Sequence, residues 1–196
     1  VDVVGNVFRV DLNPASDKSK IAENWAIHKL ASLGIEGEPD NAKFTETERR
    51  FFNQIDVVRT RIPGTNSNVD ALLVGSGNIA NPKEATKAGQ NKFFMLYDYN
   101  AYPLSQADAA LITTPIKLEN LAPALIYDPS SKTYVDNDVQ NEITTNSKKG
   151  WYWNLDDNEK VVSAATTIEG KSFFTTIVAG ADTTGCDAPS DPASYL

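Results

Sequence analysis

The sequence predicts an all-β fold, a segment of a β-propeller built from antiparallel meander blades with long loops. Between Arg49 and Asp98 three strand-like stretches follow one another, each rich in β-branched and aromatic residues and bounded by Pro, Gly or Asn. The last of them, residues 93–97, is apolar or aromatic at every position. A strand that is apolar on both faces is buried on both, as in a blade packed between two neighbours.

Two weaker groups of strands flank this meander. Before it, Gly5 and Asn6 lead into a strand over residues 7–12, and residues 25–30 alternate as a strand would, although a helix over residues 19–33 would meet no breaker either. After it, three further strands are expected, at 151–155, 161–166 and 171–178. Units of this size cannot bury themselves alone, so the pattern indicates repeated blades.

Short turns are predicted at two places. The segment GSGN at 75–78 ends the middle strand of the meander in a turn that only small side chains could follow. The segment DDNE at 156–159 is expected to form a hairpin turn between the strand at 151–155 and the strand at 161–166.

The order and content of these blocks resemble one known family. The runs RRFFNQIDVV, DALLVGSGN and NKFFMLYD, with GNVFRVDL before them and GWYWNLDDNEKVVSAATTIEGKSFFTTIVAG after them, are similar to the C-terminal β-propeller of the type IV pilus tip-associated adhesins, the PilC/PilY family. The resemblance covers nearly the whole chain. It implies a modified, seven-bladed propeller at the pilus tip or cell surface, exported through the periplasm, that promotes pilus assembly, opposes retraction and contributes to attachment.

The whole chain, residues 1–196, is expected to belong to one propeller domain. Its expected parts are a partial blade at 1–33, a blade at 50–100, a loop-rich connection at 101–149 and a blade at 150–196. The resemblance also favours the strand over the helix at 25–30, because the family's blade has an outer strand at this point.

The length predicts a piece of a larger propeller. Since a blade takes roughly 40–50 residues, the 196 residues hold about two blades and part of a third. Val1 is expected to lie within the second strand of a blade, and a new strand is expected to begin at Ser194. Unpaired blade edges recruit other strands, so we expect the remaining blades of the same polypeptide, or a partner, to cover them.

Charge and hydropathy argue against several partners. The net charge of −8 and the pI near 4.7 disfavour nucleic acid and anionic lipid headgroups, because both require a basic face. No apolar run of about 20 residues is present, so no membrane span is expected.

Several polar stretches interrupt the blade pattern. Residues 80–90 are expected to form a loop, and Ser105 to cap one turn of helix that ends near Leu111. Residues 34–48 and 127–149 are also polar, and the second has room for a short helical element. Loops on propeller faces usually carry the binding residues, so these last two stretches are the first candidates for contacts.

Neither catalysis nor zinc binding is expected. His28 is the only histidine and no serine lies in a nucleophile elbow, so His28 is predicted to be a partly exposed strand residue. A zinc site needs several His or Cys ligands, and the chain has one of each. Cys186, the only cysteine, is either inert packing or half of a disulfide to a cysteine elsewhere. The resemblance places Cys186 where the family also carries a cysteine.

One polar segment contains possible calcium ligands. Asp136, Asn137, Asp138 and Glu142 offer alternating oxygen ligands, but the central glycine and the final Glu of an EF-hand loop are absent, so a solvated acidic loop is the favoured interpretation. The family carries a calcium loop of DxDxDxxxD type, which is not found in this sequence. The resemblance therefore places any such loop upstream of Val1, and no cofactor is expected within the chain.

Trp151, Tyr152 and Trp153 follow one another in a single predicted strand. Alternation places the two tryptophans on one face and the tyrosine on the other. A carbohydrate-stacking platform is one interpretation, and packing between blades is the favoured one. In the second case, replacing Trp153 by Ala should cost several kcal/mol of stability, as a core truncation does.

Three functions follow from these observations. The first is a non-enzymatic pilus tip adhesin and assembly factor, whose blades hold loops against minor pilins, other tip subunits, or a host or abiotic surface. The second is a quinoprotein-like dehydrogenase, because GNVFRVDL is similar in style to strands of that class, although the tryptophans do not follow its repeated docking motif. The third is an extracellular propeller that binds an unidentified ligand.

Overall fold

The computed structural model describes residues 1–13, 24–34, 48–62, 65–100, 102–128, 130–145 and 147–178, together with the backbone of 193–195. The strands are β1 (Asn6–Asp11), β2 (Ala26–Ser32), β3 (Asp56–Arg61), β4 (Asn68–Gly75), β5 (Lys92–Asp98), β6 (Ala122–Pro123), β7 (Leu125–Asp128), β8 (Thr133–Asp136), β9 (Gly150–Asn154), β10 (Glu159–Val161), β11 (Thr166–Ile168), β12 (Lys171–Phe173), β13 (Thr176–Val178) and β14 (Ala193–Tyr195). The α-helices are α1 (Gln106–Leu111) and α2 (Val139–Thr144), and Leu118–Asn120 form a 3₁₀ turn. The fold is all-β, as predicted.

A five-stranded sheet, here called the central sheet, has the strand order β3-β4-β5-β9-β6. β3, β4 and β5 form the predicted antiparallel meander, in which Val57 pairs with Leu72 and Leu72 with Leu96. β9 adds to β5 in antiparallel orientation, and β6 pairs with β9 in parallel. The meander therefore takes a fourth strand from a part of the sequence more than fifty residues away.

The sequence analysis expects a new blade to begin at residue 150, but the structure places β9 in the central sheet. Trp153 lies opposite Phe93 and Trp151 opposite Met95, so the Trp-rich strand continues the apolar surface of β5 instead of starting the next blade. β10 belongs to another sheet, with β13 and β14. The turn at 156–159 is present, but it joins two sheets and is not the predicted hairpin.

Two of the strands predicted near the end are interrupted. Residues 162–165 leave strand geometry after β10, and the stretch 171–178 divides into β12 and β13. Hydrogen bonds explain both interruptions. The Val162 N–H donates to the Thr175 carbonyl at 3.0 Å, and the Thr175 N–H donates to the Ser163 hydroxyl at 2.9 Å, so the two irregular segments bind each other.

Both faces of the central sheet are covered. One face and the β1–β2 sheet form the first core, whose buried members are Val7, Leu30, Ala31, Leu33, Phe51, Leu72, Val74, Phe94, Leu96 and Leu121. The other face forms the second core with α2 and the chain around β10, whose buried members are Ile62, Val69, Ala71, Leu73, Phe93, Tyr97, Ile143, Leu155, Val161 and Ala165. Alternation along β5 explains this division, because Phe93 and Phe94 point to opposite faces.

The first sheet, β1–β2, is antiparallel and has a bulge between Val7 and Phe8. Because β2 is a strand, the helix alternative over residues 19–33 is wrong in its described part. Residues 1–5 form a turn and not the interior of a strand, since the Gly5 N–H donates to the Asp2 carbonyl and Gly5 has a φ of +82°. At the other end, the strand expected at Ser194 is present as β14.

The connection 101–149 contains more regular structure than the sequence predicts. Ser105 caps α1 as expected, because its hydroxyl accepts the Asp108 N–H at 3.1 Å. The short helical element expected between 127 and 149 is α2. The antiparallel hairpin of β7 and β8 was not predicted. All four residues of β8 are exposed, so this strand lacks the apolar alternation that marks a half-buried strand.

Gly75 and Gly77 mark the closest approach between the central sheet and β10. A Cβ atom on Gly75 would lie 2.5 Å from the Cβ of Val161, and one on Gly77 would lie 2.7 Å from the Cβ of Lys160. Gly75 is the last residue of β4 and residues 76–78 do not form a turn, so segment 75–78 is not the turn predicted from the sequence. Small residues are required here because β10 passes directly over the backbone, where the Val161 N–H donates to the Ser76 carbonyl at 3.1 Å.

We predict that Gly75→Ala lowers the free energy of unfolding by about 1–3 kcal/mol, because the added methyl overpacks against Val161. Denaturant unfolding followed by tryptophan fluorescence measures this cost. The matched experiment repeats Gly75→Ala in a Val161→Ala background, where the methyl has room and the cost should be smaller. Equal costs in the two backgrounds would contradict the close approach.

Candidate functional site

A polar cleft of about 830 Å³ opens near the end of β4. It lies between residues 48–50, the loop 78–91 and the turn at 157–158. The lining carries both signs of charge, from Glu48, Arg50, Glu84, Lys87 and Asp157. A cleft of this size and polarity can hold a polar ligand or a segment of a partner protein.

Buried lysines hold the loop 84–90, which forms one wall of the cleft. Lys160 is fully buried, and its Nζ donates to the Glu84 carbonyl at 2.7 Å. Lys92 is also buried, and its Nζ donates to the Gly89 carbonyl. Burial lowers the pKa of Lys92 to about 8 and also lowers the pKa of Lys160. Each hydrogen bond to a charged donor stabilises the loop more than a neutral one would.

A buried arginine fixes the end of the same loop. The Arg49 Nε donates to the Gln90 carbonyl at 2.6 Å, and its Nη1 donates to the Leu33 carbonyl at 2.8 Å. Burial lowers the pKa of Arg49 to about 10, which leaves the side chain charged at neutral pH. Arg49 thereby links the end of this loop to Leu33, the residue that follows β2.

The turn that follows β9 binds the loop from its other side. Asn158 Oδ1 accepts the Thr86 N–H at 3.0 Å, and Asp157 Oδ1 accepts the Ala88 N–H at 2.6 Å. The Gly89 N–H donates to the Leu155 carbonyl at 2.8 Å. The loop at 80–90 is therefore polar, as predicted, but it is also fixed in place, so it presents a preformed surface.

Arg9 links the β1–β2 sheet to the end of β5. Its guanidinium pairs with Asp11 at 2.7 Å and with Asp98 at 2.6 Å. It also donates to the carbonyls of Asn100 and Tyr102, at 2.5 and 2.8 Å. This cluster satisfies the charges of buried carboxylates and ties the first sheet to the central one.

His28 lies beside this cluster, opposite Arg9 in the β1–β2 pair. It is only 6% exposed, so the prediction of a partly exposed residue is wrong: alternation along β2 directs His28 inward. Within the described ranges neither ring nitrogen has a hydrogen-bond partner. Burial lowers the pKa of His28 below its ordinary value of 6.5, and Arg9 lowers it further, while Asp98 and Asp11 oppose the shift.

Lowering the pH should reduce the stability of the fold, because His28 is buried. Its pKa is lower in the folded chain than in the unfolded chain, so the unfolded chain binds the proton first and stability falls as the pH drops below about 6.5. We predict that His28→Gln flattens the dependence of Tm on pH between about pH 7 and pH 5. Thermal melts of both proteins across this range provide the test, and equal slopes would contradict it.

The aromatic residues of β9 lie on both faces of the central sheet, as predicted. The Trp151 ring lies 6.3 Å from Phe93, which stacks on Phe174 at 3.8 Å in the second core. Tyr152 packs against the first core. Trp153 is 43% exposed, so the expected core-like cost of its truncation does not fit this position.

We predict that Trp151→Ala costs about 2–4 kcal/mol of stability and Trp153→Ala less than about 1, because only the first ring packs into a core. Chemical denaturation of the two variants measures the difference directly. A larger loss for Trp153→Ala would show that the exposed face of β9 is covered in solution.

The β7–β8 hairpin presents apolar side chains to solvent from an anchored base. Tyr134 is 66% exposed, and Ile126 and Val135 are exposed as well. At the base, the Asn137 side chain donates to the Pro123 carbonyl at 2.9 Å. Most of the hairpin lies in the stretch 127–149, one of the two stretches that the sequence analysis gives as candidates for contacts. Residues 35–47 of the other stretch lie outside the described residues, as does Cys186.

The carboxylates considered as calcium ligands do not converge. Asp138 caps α2, since its Oδ1 accepts the Asn141 N–H at 3.0 Å, and Asn137 turns toward Pro123. Across the part of the chain that the structure describes, no group of three or more His, Cys, Asp or Glu is close enough to hold a metal ion. In that same part, neither α1 nor α2 nor any other helix is long and apolar enough to cross a membrane.

The stacked sheets, the fixed loop beside the cleft and the exposed hairpin define an all-β, blade-like architecture. No protein-family model matches the sequence, and no curated protein matches it. The chain is similar in structure to the C-terminal domain of PilY1 from Pseudomonas aeruginosa, with a TM-score of 0.56 and 18% sequence identity over 90% of this chain. The chain spans 40% of that structure's length. The likeness shows the fold: a β-propeller type whose sheets, in the described residues, do not close into a ring.

Proposed function

We propose that this chain is part of a non-enzymatic propeller at the tip of a type IV pilus, where it supports pilus assembly and surface attachment. The observation that carries the proposal is the structural likeness to the PilY1 C-terminal domain over 90% of the chain. The sequence blocks from GNVFRVDL to KSFFTTIVAG, which occur in the order typical of the pilus adhesins, also support it.

The mechanism that we propose is recognition by surfaces fixed on a rigid stack. The central sheet is buried on both faces, so the elements attached to it move little relative to one another. Preformed surfaces lose little conformational entropy on binding. Minor pilins or other tip subunits, and a host or abiotic surface, are the partners that suit such a scaffold at the cell surface.

The β7–β8 hairpin is the surface that we propose for partner contact. Tyr134 combines a large apolar ring with a hydroxyl group, and residues of this kind supply much of the binding energy in protein interfaces. It stands on a base fixed by Asn137 and by α2, whose Ile143 is buried in the second core. Ile126 and Val135 pair with each other across the strands and form an apolar patch on the opposite face of the hairpin.

We predict that Tyr134→Ala weakens binding to purified minor pilins by at least about tenfold, as expected for loss of an interface hot spot. The binding assay uses the intact gene product, and surface piliation of a complemented deletion strain is the cellular measurement. Tyr102→Ala is the matched control, because Tyr102 is 81% exposed but lies outside the hairpin. Normal binding and piliation with Tyr134→Ala would remove the hairpin from the proposal.

We propose further that these residues need neither a metal nor an organic cofactor. Dialysis against a chelator should then leave the Tm of the chain unchanged, because no bound ion is lost from the folded state. Thermal melts before and after dialysis measure this. A lower Tm after dialysis would point to a bound ion, and a quinone absorbance band would support the dehydrogenase instead.

A further inference from the structure

The guanidinium of Arg9 uses all of its hydrogen-bond donors. Its Nε and one N–H of Nη2 donate to Asp11, at 3.0 and 2.7 Å. Nη1 donates to Asp98 at 2.6 Å and to the Asn100 carbonyl, and Nη2 also donates to the Tyr102 carbonyl at 2.8 Å. A guanidinium has five N–H groups, and these contacts account for all of them. β1 therefore holds the main chain after β5 at two carbonyls.

His28 lies against the same charges but forms no bond to them. It is the direct cross-strand neighbour of Arg9 and is buried, and within the described residues neither ring nitrogen has a hydrogen-bond partner. Burial and Arg9 lower the pKa of the ring, whereas Asp98 and Asp11 raise it. Because the resulting pKa lies below 6.5, the ring is neutral at pH 7.

Other charged groups next to this cluster have partners of their own. Asp70 of β4 is the cross-strand neighbour of Asp98 and forms an ion pair with Arg59 of β3. The helix α1 packs against β2 and carries Asp108, whose carboxylate is bonded to the hydroxyl of the N-cap residue. Among the described groups, a protonated ring can therefore bind only the two carboxylates that Arg9 already holds.

We propose that His28 is the pH sensor of a latch between β1 and the main chain that follows β5. When the ring takes up a proton, it becomes a donor that competes with Arg9 for Asp98, and its charge repels the guanidinium. Arg9 then loses one of its two carboxylates and releases the carbonyls of Asn100 and Tyr102. Since Tyr102 is 81% exposed, acid changes a surface of the folded protein.

Two further contacts limit how far the latch opens. The Asn13 side chain donates to the Leu104 carbonyl at 2.6 Å, and the Gln106 side chain donates to the Trp25 carbonyl at 2.9 Å. Neither bond involves a titratable group, so both persist in acid. The opening is a local event within the folded chain and is distinct from the lower Tm expected in acid. It is also independent of any role at a pilus.

Two NMR signals of the 196-residue chain test the latch at a temperature well below its Tm. His28 is the only histidine, so its ring signals report its protonation without ambiguity. 3-Fluorotyrosine labels Tyr102, and the ¹⁹F signal of Tyr102 is identified by its loss in Tyr102→Phe. Between about pH 7 and pH 5 we expect the His28 and Tyr102 signals to change together, with one midpoint below pH 6.5.

His28→Gln should abolish the change of the Tyr102 signal, because glutamine does not titrate. Lys29→Gln is the matched control and should keep the change, since Lys29 is the next residue of β2 but is exposed on the other face. A Tyr102 signal that moves equally in His28→Gln would overturn the proposal.

The unsubstituted chain decides the question even if His28→Gln does not fold. A His28 ring that titrates while the Tyr102 signal stays fixed would also overturn the latch. The same conclusion would follow if the ring took up its proton only as the whole chain unfolds.

Discussion

The structure depends on the burial of β5 from both sides. Phe93 and Phe94 are adjacent residues, yet each is fully buried, one in the second core and one in the first. A strand of this composition cannot be covered by a single layer, so the chain must place one group of elements above it and another below. The β1–β2 sheet, β10 and α2 are held in place by this requirement, and the cleft and the hairpin derive their positions from them.

The parts of the fold that depend on composition could be predicted from the sequence. The meander of β3, β4 and β5 follows from its β-branched and aromatic residues, and β2 follows from alternation. The pairing of β9 with β5 could not be predicted. An apolar strand indicates that it must be covered by another element, but its sequence does not identify that element. The β7–β8 hairpin was missed for the opposite reason, since exposed strands carry no apolar pattern.

The candidate site was harder to predict because its interactions use the backbone. The loop 84–90 is fixed by side chains that donate to its main-chain carbonyls, namely those of Lys92, Lys160 and Arg49. Every residue has a main-chain carbonyl, so the residue types in the loop do not indicate these hydrogen bonds. His28 was misplaced because the inward face of β1 and β2 also carries Arg9 and therefore does not look like a core. Residue spacing, by contrast, correctly predicted the cap of α1.

The buried cations have a consequence for the setting in which the protein works. Dissolved ions weaken an interaction between exposed charges, such as that between Arg59 and Asp70, but they scarcely reach Lys160, which is fully enclosed. The wall of the cleft that Lys160 supports should therefore keep its shape in fresh water and in brine alike.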